Sequence, residues 1–239
     1  MLEIVGDSHV IALADAMRQG SCTSSHGPVT LAQMGHGYNF LERFFAFDGY
    51  AVSFTQPPAI AVFEKINPNA PAIIVRNDSR RFVFMFGLYP SFGFDAKNWL
   101  AHTVAPWSRD RHFVSKHAFD LIIDETLKEP MAFFRTLVGM NVRFSVASCS
   151  PVPASYQKLA GKTNFADGEV AFIYNRFRDR AVAQLTAMGV ICHLPPEEVY
   201  DEYGAMHDTF AKSPGDYHAN PTYGRLMLDK LLGELEALP

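Results

Sequence analysis

A doubly wound α/β domain with a mainly parallel five-stranded sheet is the fold class this sequence predicts, on three observations. Five short apolar runs punctuate the 239-residue chain, and segments with apolar residues at helical spacing separate them. One of these runs, Phe82-Val83-Phe84-Met85-Phe86, is apolar without alternation, which suits a strand covered on both faces. The composition, 48% apolar and 19% charged, can fill one core at this length, so a single domain over residues 1–239 is expected.

The elements follow in chain order. Leu2 to Val5 is a strand closed by Gly6-Asp7-Ser8-His9, after which Val10, Ile11, Leu13, Ala14 and Met17 recur at helical intervals until Gly20. Val29 to Ala32 is the second strand, broken by Gly35-His36-Gly37. Phe40, Leu41, Phe44 and Phe45 then repeat with helical spacing. Between about residues 50 and 80 the pattern is irregular. Ala51 to Thr55 and Ala72 to Val75 are extra strands there, and four prolines, Pro57, Pro58, Pro68 and Pro71, point to an inserted hairpin or lid. Phe82 to Phe86, ended by Gly87, is the central strand. Leu88 to Arg111, with Pro90, Pro106 and both tryptophans, is a partly helical excursion over one end of the sheet. A helix from about Ser115 to Val138 leads to strand Val142 to Ala147 and the loop Ser148 to Pro153. A helix from about Asp167 to Met188, strand Val190 to Leu194 and a last helix from about Asn220 to Leu238 complete the chain.

Several classes of function are set aside by composition. The net charge is −4, and no basic cluster exceeds Arg80-Arg81, so no nucleic-acid partner is expected. Cys22, Cys149 and Cys192 are odd in number and lack a C-x-x-C pair, which indicates neither a disulfide framework nor a zinc ribbon. The histidines show no H-E-x-x-H or similar spacing, so neither a metal nor another cofactor is expected. No apolar run reaches membrane-span length, and Met1 leads into Leu2 without a basic leader; a cytoplasmic location is the expectation. No G-x-S-x-G elbow is present.

In a doubly wound sheet, ligands bind at the carboxyl ends of the strands. Ser8 sits there, where the first strand turns into the first helix, so its hydroxyl can project at the sheet edge beside unsatisfied N–H groups. The plainer alternative is that Asp7 or Ser8 caps the helix. At the other end of the chain, Gly215-Asp216-Tyr217-His218-Ala219-Asn220 precedes the last helix. His218 there can accept a proton from Ser8, and a nearby carboxylate can fix its tautomer. His9 points away from Ser8 and is assigned no catalytic role. The Gly35-His36-Gly37 turn lacks the third glycine of a dinucleotide fingerprint and is suited to offering a backbone N–H.

Together these blocks make the chain resemble the SGNH (GDSL-like) hydrolase family, in particular a bacterial Gly-Asp-Ser-His subgroup. The family places its nucleophile in a Gly-Asp-Ser block after the first strand and its base in an Asp-x-x-His block before the last helix. The resemblance spans nearly the whole chain and implies a flavodoxin-like α/β/α fold and a serine esterase or deacylase acting on an acyl ester of a small molecule or glycan. It implies Ser8, Asp216 and His218 as catalytic residues and no cofactor. Two positions depart from the pattern. Gly215 stands three before His218, so the orienting acid is Asp216 or another residue such as Asp208. No Asn follows Gly87, so Tyr89 or Asn77 would join Gly35 and Gly37 as oxyanion or substrate-binding groups. An acyltransferase with the same triad, and a catalytically silent carbohydrate-binding module, are the alternatives.

Overall fold

Leu2 to Gly6 forms strand β1, every residue of which is buried, and Arg81–Met85 forms β6, buried from its second residue onward. That burial requires neighbours on both edges and cover on both faces, and the computed structural model supplies them. It describes residues 1–20, 27–66, 73–88, 93, 96–159 and 165–237. With β2 at Val29–Gln33, β9 at Arg143–Ala147 and β10 at Cys192–His193, the sheet order is β10-β9-β6-β1-β2, with every neighbouring pair parallel. In terms of the five sheet strands this is 2-1-3-4-5, the flavodoxin-like order, whose direction of winding reverses between β1 and β6. Leu2 pairs with both Val29 and Arg81, so the carboxyl ends of these strands finish level. Ser8 follows β1 at that switch point.

Helices flank the sheet. Helix α1 (Val10–Gln19) packs on α7 (Pro221–Glu236), while α3 (Lys116–Thr126), α4 (Lys128–Gly139) and α6 (Glu169–Ala187) pack on one another. Alternation along β6 places Phe84 and Phe86 against Phe133 and Phe134 of α4, with ring centroids 5.2–5.9 Å apart. None of the helices is long and apolar enough to cross a membrane, among the described residues.

The insert is larger than a hairpin. It is a three-stranded antiparallel sheet, β3 (Phe45–Phe47), β4 (Ala51–Phe54) and β5 (Ile73–Val75), with α2 (Pro57–Ile66) between the last two. The helical reading of Phe40 to Phe45 is thereby corrected. A 3₁₀ turn over Gly37–Phe40 precedes β3, and Phe40 and Phe44 share spacing because both face the core at Phe86. Two buried rings four residues apart do not make a helix when the residue after the second, Phe45, pairs with Phe54 in an antiparallel ladder. The helix expected from Ser115 to Val138 is two. Leu127 leaves helical geometry at ψ 1°, because Pro130 lacks an N–H and its ring would collide with the carbonyl four residues before it. Part of the Leu88 to Arg111 excursion lies outside the described residues; the rest holds a 3₁₀ turn at Ala96–Trp99 and a two-stranded ladder, β7 (His102–Thr103) with β8 (His112–Phe113). A short helix, α5 (Ala154–Leu159), follows Pro153 unannounced by the sequence.

Buried polar groups fix the layers to one another. Glu169, fully buried at the start of α6, takes hydrogen bonds from the Thr103 hydroxyl, the Val104 and Ala166 N–H groups and Arg111, and so ties the excursion down. At the amino end of the sheet Arg80 is clamped by Glu3 and Asp78. His193 of β10 links Ser145 of β9, 2.9 Å from its Nε2, to Glu234 of α7, 2.6 Å from its Nδ1.

Burial holds the His193 imidazole below its usual value. Glu234 opposes that shift, while Arg81 and Lys230 add to it. The native protein therefore releases this proton more readily than the unfolded chain does. Its contribution to stability is complete above about pH 6.5, the ordinary histidine value, and declines as pH falls below it. Urea midpoints should fall between pH 7 and pH 5.5, and His193→Gln should flatten that slope by at most about 1.4 kcal/mol per pH unit.

Candidate active site

Gly6 ends β1 so close to β6 that a Cβ there would stand 2.8 Å from both the Cβ and the carbonyl oxygen of Met85. The chain then turns into α1. Asp7 Oδ1 accepts the His9 N–H at 2.9 Å, which holds the turn and leaves the Ser8 side chain outside it. Asp7 itself is buried, and desolvation pushes its carboxyl up to about 7 against the His9 N–H and the Cys149 thiol.

The second half of the site arrives on the loop before α7. Asn220 caps that helix by accepting the Thr222 and Tyr223 N–H groups, and its amide donates to the carbonyls of Thr209 and Ala211. Lys212 N–H to the His218 carbonyl, at 2.9 Å, closes the loop. Asn220→Ala should cost about 1–2 kcal/mol, read from urea unfolding, because it strips a cap and leaves two carbonyls short of a donor.

The structure brings Ser8, His218 and Asp216 together. Ser8 Oγ lies 2.9 Å from His218 Nε2, and His218 Nδ1 lies 2.7 Å from Asp216 Oδ1. The same carboxylate oxygen accepts the His218 backbone N–H at 2.9 Å. This accounts for the spacing: Gly215 turns at φ 78°, and Asp216, two residues before His218, reaches backbone and ring at once. Partial burial would raise the Asp216 carboxyl, but the hydrogen bonds and charge of His218, with Lys212, hold it below its ordinary value. Asp208 is elsewhere, accepting the Ser155 N–H at the start of α5.

Gly35, at φ 137°, stands at the carboxyl end of β2, beside the end of β1. Met34 N–H binds the Gly6 carbonyl, and Gln33 Nε2 binds the Gly35 carbonyl at 2.9 Å. Among the described residues, the N–H groups of Ser8, Gly35 and Gly37 have no hydrogen-bond partner. Gly37 lines a small cleft with Asp7, Phe40, Phe86 and Gly87. Tyr89 lies outside the described residues. Asn77 is corrected as a candidate: it precedes β6, paired with Asn141 before β9, at the opposite end of the sheet from Ser8.

Two neighbours of this Ser8–His218–Asp216 contact were not legible beforehand. His9 is buried, with Nδ1 2.9 Å from Ser150 Oγ and its ring 5.0 Å from that of His218. Burial and the charge of His218 push it down to about 3 against the pull of Asp216, so it is neutral. Its bond therefore reaches across 141 residues rather than staying local. Tyr217 lays its ring 4.3 Å from that of His218 and meets Tyr156 edge-on. The available signal was the position of Ser148 to Pro153, another loop at the carboxyl edge.

Such a geometry, a hydroxyl on an imidazole whose far nitrogen is held by a carboxylate, is what proton removal from a serine requires. No family model and no curated protein matches the chain. A solved structure from Streptococcus pneumonia, provisionally assigned as a platelet activating factor, is similar over 98% of this chain and 83% of that chain, with 13% identity and a TM-score of 0.50. A provisionally assigned acylhydrolase from Bacteroides fragilis covers 98% of this chain and 86% of its own, at 9% identity and TM-score 0.48. An acetyl xylan esterase covers 98% and 100%, at 11% identity and TM-score 0.46. The likeness to the first of these, together with the sheet order, shows a three-layer α/β/α fold, here with a small antiparallel insert.

Proposed function

We propose that the protein is a serine esterase or deacylase that cleaves an acyl ester through an acyl-enzyme on Ser8. The carrying observation is the continuous contact from Ser8 Oγ through the His218 ring to Asp216, at 2.9 and 2.7 Å. Ser8 Oγ attacks the ester carbonyl as its proton passes to His218 Nε2, and the imidazolium is stabilised by Asp216. The N–H groups of Ser8 and of Gly35 or Gly37 receive the oxyanion, aided by the amino end of α1. His218 then protonates the departing alkoxide as the C–O bond breaks. Water, deprotonated by the same ring, releases the acid and restores Ser8.

No bound cofactor takes part in these steps. An acyl ester on a sugar is the substrate we favour, following the resemblance of the Gly-Asp-Ser-His block. The intact triad contact supports an enzyme over a silent binding module. The test is pre-steady-state hydrolysis of activated aryl esters of graded acyl length, followed by acetylated sugars. A burst of alcohol equal to the enzyme concentration, absent in Ser8→Ala, is expected. Turnover that survives unchanged in Ser8→Ala would refute the reading, and acyl transfer to an added sugar in place of acid release would reassign it to an acyltransferase.

A further inference from the structure

We propose that Asp7, His9 and Cys149 form a binding site for a borderline-soft divalent cation of the Zn2+ class, set behind the nucleophile loop. The carboxylate, imidazole and thiol ligand atoms of these three residues all lie within 4.8 Å of one another, and all three residues are buried. Cys149 Sγ is 3.6 Å from Asp7 Oδ2 and 3.8 Å from Oδ1. A zinc ion with bonds of about 2.0–2.3 Å needs its tetrahedral ligand atoms about 3.3–3.8 Å apart. Side-chain rotation of an ångström or so brings the three into that range.

The chemistry of the donor set points to this class of ion. Thiolate and imidazole are poor ligands for Mg2+ or Ca2+, which take oxygen, and good ones for Zn2+ and its spectroscopic substitute Co2+. One thiolate, one carboxylate and a neutral imidazole cancel a double positive charge, and the thiol proton, with any proton on Asp7, leaves to solvent on binding. Without an ion, Asp7 Oδ2 faces only the weak thiol donor among the described residues. With His9 ligating through Nε2, Ser150 Oγ, 2.9 Å from its Nδ1, would supply the outer hydrogen bond that fixes the ring plane in metal sites. Asp7 also lines the cleft with Gly37, Phe86 and Gly87, whose free volume of about 10 Å3 is near that of a single water. Ligand spacing could not reveal such a site, because Cys149 comes from the loop after β9 and only the sheet brings it to Asp7.

Two of the three ligands flank Ser8, so an ion there would stiffen the turn that presents the nucleophile. The site does not depend on the esterase reading, and its test needs no substrate. The 239-residue protein, stripped with chelator, is titrated with Co2+ and then Zn2+. One equivalent should bind with a sulfur-to-cobalt charge-transfer band and the intense visible bands of a tetrahedral ion, and Zn2+ should displace it. Cys149→Ser should abolish the charge-transfer band. Asp7→Asn and His9→Gln should each weaken binding by more than about 100-fold, whereas Ser150→Ala should weaken it by about 10- to 100-fold, as loss of an outer hydrogen bond does. Circular dichroism confirms that each variant is folded, and Asp7→Asn serves if Cys149→Ser is not. No binding, binding without a thiolate band, or a band that persists in folded Cys149→Ser would overturn the site.

Discussion

Replacing Ser8 or His218 by Ala should each lower kcat for ester hydrolysis by about six orders of magnitude, and the double variant should be no worse than either single one. The non-additivity is the informative part. Ser8 Oγ shares one hydrogen bond with His218 Nε2, so each residue without the other has no proton to pass or receive. Asp216→Asn should lose about 10^4-fold, because an amide can donate toward Nδ1 and favour the wrong tautomer, while the Ser8 contact stays in place. Any residual rate reflects the backbone N–H groups around Ser8, Gly35 and Gly37. The checks are steady-state kinetics on an aryl ester, with melting temperatures to confirm that the variants fold.

Gly224→Ala should damage both stability and activity. A Cβ at this position in α7 would fall on the carbonyl of Ala12 in α1, backbone against backbone, where no side chain can swing aside. The two helices must separate, at a cost of about 3 kcal/mol or more, the upper end of overpacking. The damage reaches the chemistry because α1 begins just after Ser8 and α7 just after His218. A displacement of about 1 Å between them should cost about 100-fold in kcat/KM. Arg225, whose guanidinium binds the Ala16 carbonyl at 2.8 Å, crosses the same interface and would be strained with it. Urea unfolding and ester kinetics on one preparation test both effects; an unaltered kcat/KM would show that the helix contact does not set the triad distance.

The parts of this architecture that the sequence made legible are those where one physical requirement dominates. Leu2 to Val5 and Phe82 to Phe86 read as strands because only a doubly covered sheet buries such runs. Ser8 and His218 pair in the sequence because both fall in loops at the carboxyl edge expected of a doubly wound sheet, and in the two blocks on which the family resemblance rests. Competing requirements hid the rest. Phe40, Phe44 and Phe45 have helical spacing because the core demands aromatic rings there, while hydrogen bonding to β4 decides the backbone. Pro130 was visible, but apolar periodicity on both sides of it concealed the break at Leu127. Asp216 and Asp208 both stay open in the sequence because Gly215 stands at the usual spacing, and only the turn at Gly215 brings Asp216 to the His218 ring. The contact between His9 and Ser150 and the approach of Cys149 to Asp7 depend on tertiary packing and leave no local pattern.

The central claim is that Ser8 is a nucleophile activated by His218, and the most direct measurement is reaction with a fluorophosphonate probe, which requires no knowledge of the ester. Purified protein is labelled and digested, and the modified peptide is identified by mass spectrometry, with Ser8→Ala and His218→Ala in parallel. The expected result is stoichiometric modification of Ser8 in the parent protein and none in either variant, all three melting at similar temperatures. Folded parent protein that resists the probe, or that carries the label on a residue other than Ser8, would contradict it.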